Sequence, residues 1–248
     1  MTLWNGVLWM GALGGGIYGS AVWLLHLGDF REMECGRKWE AGLLGGLALG
    51  NAVIIMVIGQ IEETMPVTFG ESRMLYLGAE ELLLGLVAGG LLAAAYMDTK
   101  SSYVYNYVWW WCLLWTVLLL CLPDNGSFAA SKQWRILDGI SIQQVISTVL
   151  FVILQQCLFA RMYGRADSHA FSVCALVSCH WRGEMLWFLI HMLLAVTLLA
   201  IVQLAKGNIT LQGRLRTPRP FVPYIIITFW WEILWMVFLW HRTTYIYA

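Results

Sequence analysis

The stretch MLWFLIHMLLAVTLLAIVQLA, Met185–Ala205, decides the class of this protein. It contains no Asp, Glu, Lys or Arg. As an α-helix rising ~1.5 Å per residue it covers about 30 Å, the thickness of a bilayer's hydrocarbon core. Such a run is a transmembrane helix. Working outward, comparable runs occupy Phe221–Trp240 after it and Ala170–Trp181, Gly139–Tyr163, Tyr103–Leu122, Met74–Met97, Ala41–Gln60 and Leu3–Leu27 before it. Ala170–Trp181 is the shortest, and reads as either a short span or a re-entrant piece buried among other helices.

Composition agrees with that reading. Of the 248 residues 60% are hydrophobic and 12% charged, with a mean hydropathy of +0.68. Soluble domains run at about 45–50% apolar and about 25% charged. A soluble enzyme and a disordered chain are therefore excluded. The 15 basic and 15 acidic residues cancel, so no polybasic surface exists to hold a nucleic acid. The fold class is all-α: a polytopic membrane helix bundle with about eight transmembrane helices. The connecting segments are too short to fold as separate domains. Leu3–Leu27 lacks a basic flank and is too long for a signal-peptide core, so it reads as an uncleaved helix.

Lys and Arg set the orientation. With the N-terminus outside, Arg31, Arg37, Lys38, Lys100, Arg161, Arg165, Lys206, Arg214, Arg216 and Arg219 fall inside, against Arg73, Lys132, Arg135, Arg182 and Arg242 outside. This places the protein in the cytoplasmic membrane, with the ends of the third and fifth spans at the cytoplasmic face.

Small residues recur at four-residue spacing: Gly11, Gly15 and Gly19; Gly42, Gly46 and Gly50; Gly85 and Gly89. Such stripes let helix backbones approach closely. Their ordinary use is packing inside the bundle; the alternative is a face for a second copy of the chain. The abundant Trp and Tyr suit the two membrane interfaces.

Carboxylates beside apolar runs are costly and mark sites. Asp98 directly follows the run Leu91–Met97, and Asp167 closes Gly164-Arg165-Ala166-Asp167 just after the fifth span. Both lie at one depth on different helices. Two carboxyls brought within about 3 Å cannot both ionise easily and share a proton. One then activates a water while the other donates a hydrogen bond to a scissile carbonyl, with no metal and no cofactor. The plainer reading is that each Asp caps a helix end.

The surrounding residues carry a resemblance. Asp98-Thr99-Lys100-Ser101-Ser102-Tyr103-Val104-Tyr105-Asn106 resembles the first catalytic segment of the type IV prepilin peptidases and archaellin peptidases, with Val104, Tyr105 and Asn106 in place of Ile-Pro-Asn. Gly164-Arg165-Ala166-Asp167 resembles their Gly-x-Gly-Asp, and Pro220-Phe221-Val222-Pro223-Tyr224 their Pro-Phe-x-Pro-Phe. The resemblance implies two N-terminal helices over 1–73 and a six-helix peptidase core over 74–248. It implies a membrane aspartic endopeptidase that removes the leader of a pilin-like precursor at the cytoplasmic face. Asp98 and Asp167 would be the catalytic dyad, Lys100 and His169 would tune its charge or touch substrate, and Asn106, Gly164, Ala166, Pro220 and Pro223 would shape the site. Ala166 stands where the family has its second Gly, which requires a negative φ at that position. His169 stands where the family has Lys, and its charge is conditional near neutral pH. Cys35 is alone in the first cytoplasmic segment, where longer members pair Cys-x-x-Cys motifs, so no zinc site and no pilin methyltransferase activity are expected.

The alternatives come from other classes. One is an inactive homologue with an assembly role. Another is a small-solute or ion transporter using Glu80, Glu81, Glu232 and His191, although no internal repeat supports it. The remaining cysteines read as small apolar residues.

Overall fold

The computed structural model describes residues 3–28, 37–63, 72–122, 135–137, 140–180, 184–207 and 220–247. Among these, eight α-helices follow in order: α1 (Leu3–Leu27), α2 (Arg37–Glu63), α3 (Ser72–Ser101), α4 (Asn106–Leu120), α5 (Ile142–Cys157), α6 (Arg165–His180), α7 (Met185–Ala205) and α8 (Val222–Tyr247). Two short strands, β1 (Arg135–Leu137) and β2 (Ile140–Ser141), pair antiparallel before α5, with Arg135 opposite Ser141 and Leu137 opposite Ile140. This small hairpin is an addition to the helical bundle, and it moves the helix start expected at Gly139 to Ile142.

Among the described residues, five helices are long and apolar enough to cross a bilayer: Val7–Leu27, Glu40–Ile58, Gly78–Ser101, Ile142–Arg161 and Met185–Ala205. The chain is a helical membrane protein. Asn106–Leu120 is apolar but shorter, and Val222–Trp235 is the described apolar part of α8. The expected count of eight spans is corrected at α6 in particular. That helix carries Asp167, Ser168, His169, Ser172 and Ser178, and most of its residues are buried against other helices. A helix enclosed by protein has no need of an apolar surface for lipid.

Helix α3 lies at the centre, packed against α1, α2, α4 and α8, while α6 packs against α4, α5 and α8. Helix α7 lies against α8 and α5, with Leu186, Leu193 and Leu204 exposed on its outer side. Helices α1 and α3 approach closely. A Cβ on Gly85 would sit 2.7 Å from Leu13 Cδ1, and one on Gly89 would strike Ser20 and lie 2.8 Å from the Ile17 carbonyl oxygen. The α3 stripe therefore packs internally. The stripes of α1 and α2 do not: at Gly11, Gly15, Gly19, Gly42, Gly46 and Gly50 a Cβ would meet no described atom within 4 Å, which corrects their expected packing use. Two polar ties fasten α4: Tyr107 donates to the Leu24 carbonyl (2.7 Å), and Trp111 Nε1 to the Leu86 carbonyl (3.0 Å).

Candidate active site

Asp98 sits in the last turn of α3. The helix stops there because Ser102 adopts φ 54°, a left-handed conformation that breaks the α-helical ladder. The Asp98 side chain is 6% exposed. Its Oδ2 accepts a hydrogen bond from the backbone N–H of Val222 at 3.0 Å. Val222 is the first residue of α8, and Phe221 before it has no side-chain oxygen to cap the helix. Asp98 supplies that cap from another helix. The positive end of the α8 dipole and a freed N–H both favour a carboxylate there. Pro223, in the same turn, has no N–H to satisfy, which suits a helix start. Pro220 and Pro223 are both half-buried.

Asp167 lies in the first turn of α6 and is 8% exposed. Gly164 ends the preceding turn with φ +129°, and a Cβ on it would lie 3.3 Å from Asp167 Oδ2. Only glycine meets both conditions comfortably. Ala166 is helical and half-buried, and does not have a positive φ. Its methyl group is thus compatible with the turn, which answers the condition set by the missing second glycine.

The start of α8 touches the surroundings of both carboxyls. Phe221 packs edge-on against Phe171, one turn past Asp167, and against Tyr163, with ring centroids 5.8 and 6.0 Å apart. Burial first, and the neighbouring Asp98 charge second, push the Asp167 carboxyl up to about 8. Asp167 thus holds its proton through neutral pH, while Asp98 accepts the Val222 N–H.

The other expected residues are placed as follows. Lys100 turns to Glu40 on α2, which also accepts a hydrogen bond from Tyr96 at 2.7 Å, and its ammonium lies 5.7 Å from the Tyr96 ring centre. It fastens α2 to α3. Asn106 opens α4 and is exposed. His169 is half-buried, with its ring 5.7 Å from that of Trp109. Burial and then the Arg165 guanidinium hold the imidazole below its ordinary value, so it is neutral at pH 7. Sequence reasoning missed three participants: the Val222 N–H, Glu40, and Tyr163, whose phenol donates to Gln155 and whose ring walls the site. A tyrosine immediately before Gly164 was the available signal for the last.

Among the described residues no three His, Cys, Asp or Glu side chains converge as metal ligands; Cys35 lies outside the described residues. The residues of the transporter alternative divide into separate contacts. Glu80 meets His180 at 2.9 Å, Glu81 accepts from Trp9, and Glu232 Oε2 lies 3.6 Å from His191 Nδ1. No family model, no curated protein and no solved structure matches the chain.

Proposed function

We propose that this protein is a membrane aspartic endopeptidase of the prepilin-peptidase type, with Asp98 and Asp167 as its dyad. The observation that carries the reading is a pair of buried carboxyls at the end of α3 and the start of α6, with Asp98 capping α8 and Phe221 of that cap packed on Phe171 of α6. Asp98 takes a proton from a water, whose oxygen attacks the scissile carbonyl carbon. Asp167 donates a hydrogen bond, then its proton, to the carbonyl oxygen. The tetrahedral intermediate collapses as the leaving nitrogen gains the proton held by Asp98, and the carbonyl oxygen returns its proton to Asp167. No metal or cofactor enters this scheme.

The substrate is a pilin-like precursor, cut at the cytoplasmic membrane face before its apolar helix. Residues 74–248 form the six-helix peptidase core, and 1–73 add two helices. The exposed glycine stripes of α1 and α2 support a second copy of the chain as a partner.

A second reading has its own support. Lys100 is engaged by Glu40 and His169 is neutral, so no free cation among these residues addresses the dyad. That arrangement favours an inactive homologue with an assembly role. Co-expression with a pilin-like precursor from the same genome separates the two. Leader removal by the unaltered chain, lost in Asp98→Asn and in Asp167→Asn, supports the peptidase. Two precursors left intact by a folded, inserted chain support the assembly protein.

A further inference from the structure

The first turn of α8 is held at two points. One is the Val222 N–H on Asp98. The other is the Ile225 carbonyl oxygen, which lies 2.8 Å from Nε2 of His191 on α7. A carbonyl only accepts, so Nε2 carries the hydrogen and the Nδ1 of a neutral ring presents a lone pair. That nitrogen faces Glu232, about 15 Å further along α8 than Val222 at the α-helical rise. Oε2 of Glu232 is 3.6 Å from Nδ1.

Glu232 is 2% exposed, and among the described residues neither of its carboxyl oxygens has a hydrogen-bond partner. His191 is equally buried, with the rings of Phe171 and Phe229 at 5.3 and 6.1 Å. The Cys174 thiol of α6 is the other titratable group that interacts with Glu232. An imidazolium–carboxylate pair in such surroundings needs donors for several carboxylate lone pairs, and one contact at 3.6 Å does not offset the desolvation. A carboxylic acid needs a single acceptor, and Nδ1, 3.6 Å from Oε2, takes that role once the two side chains close to hydrogen-bond length.

We propose that Glu232 and His191 form a neutral acid–imidazole pair, with the proton on Glu232, that positions the start of α8 and so the Asp98 carboxylate. The proton fixes the tautomer of His191. The Nε2–H then holds the Ile225 carbonyl, one turn from the N–H that binds Asp98. Both are positioning residues. Their link to catalysis rests on the dyad reading, whereas the proton's location does not.

Two measurements test this. Infrared difference spectra of the purified protein, unaltered minus Glu232→Gln, should show at pH 7 a protonated-carboxyl stretch that shifts on deuteration. Absence of that band would place a carboxylate at Glu232 and overturn the pair. In the precursor-cleavage assay, Glu232→Gln keeps an N–H that reaches Nδ1, and should hold kcat within about threefold. Glu232→Leu should lower kcat about tenfold with KM little changed. Equal kcat in the Gln and Leu variants overturns the positioning role. An unaltered chain that cuts no precursor overturns that role together with the dyad, and leaves the infrared band as the sole judge of the pair.

Discussion

The backbone N–H of Val222 and Oδ2 of Asp98 are 3.0 Å apart, and that bond joins the end of α3 to the start of α8. That carboxylate caps a helix, and in the proposed peptidase it also offers a base. Substitutions at Asp98 should separate these roles. Asp98→Asn keeps an oxygen for the Val222 N–H, and should give a folded, inserted and inactive protein. Asp98→Ala leaves that buried N–H without an acceptor, and should cost a further ~1 kcal/mol of stability, the ordinary value of a lost cap. Thermal unfolding in detergent compares the two; equal stability of Asn and Ala would remove the capping role.

The protonation of Asp167 gives a pH dependence with a definite sign. Its carboxyl is raised to about 8 by burial and by the Asp98 charge. If the proton on Asp167 is what meets the scissile carbonyl, cleavage should fall as pH rises through about 8. Stability runs in the same direction. The folded state binds this proton more tightly than the unfolded chain, so stability is lost as pH rises from the ordinary carboxyl range to about 8, and then levels off. Asp167→Asn should flatten that part of the stability profile. A pH–rate profile and unfolding measured across the same range check both parts.

Gly164 and Ala166 flank the same turn and should respond oppositely. Gly164→Ala requires an L-residue at φ +129° with its methyl 3.3 Å from Asp167 Oδ2. The strain is of order 1–3 kcal/mol, and cleavage should drop at least tenfold. Ala166→Gly places a glycine inside a helix. It should cost only about 0.5–1 kcal/mol and leave cleavage within about twofold. Parallel cleavage and unfolding assays settle the pair.

Lys100 and Glu40 make a contact between helices, at a part-exposed location. Such pairs are screened by water and contribute little to stability. Lys100→Met should therefore lower stability slightly and leave cleavage within about threefold. The swap Glu40→Lys with Lys100→Glu should recover the stability lost by either single change. A loss of cleavage far greater than the loss of stability would return Lys100 to the dyad.

The two buried carboxyls were legible because a carboxylate at the end of an apolar run is conspicuous against its neighbours. Asp98 and Asp167 stand out from Leu91–Met97 and from the fifth span by polarity alone. The Val222 N–H was not legible, since a backbone donor has no residue type. The membrane class followed from Met185–Ala205 and its counterparts. The eight-span count did not, because hydropathy reports contact with lipid and α6 is buried among protein. The glycine stripes show a related limit. Spacing announces a flat helix face, but not which face finds a neighbour: Gly85 and Gly89 do, and those of α1 and α2 do not. The charge expected from Lys100 was misplaced for a third reason: its partner Glu40 is far away in sequence.

The notch that Gly85 and Gly89 leave along α3 is filled by Leu13, Ile17 and Ser20 of α1. A lipid chain would fill so angular a cleft poorly, and Ser20 would have no counterpart in it. The seam between α1 and α3 is therefore a join by shape. Produced as two separate polypeptides, 1–73 and 74–248 should find one another in the bilayer, and a bulky residue at position 89 should keep them apart.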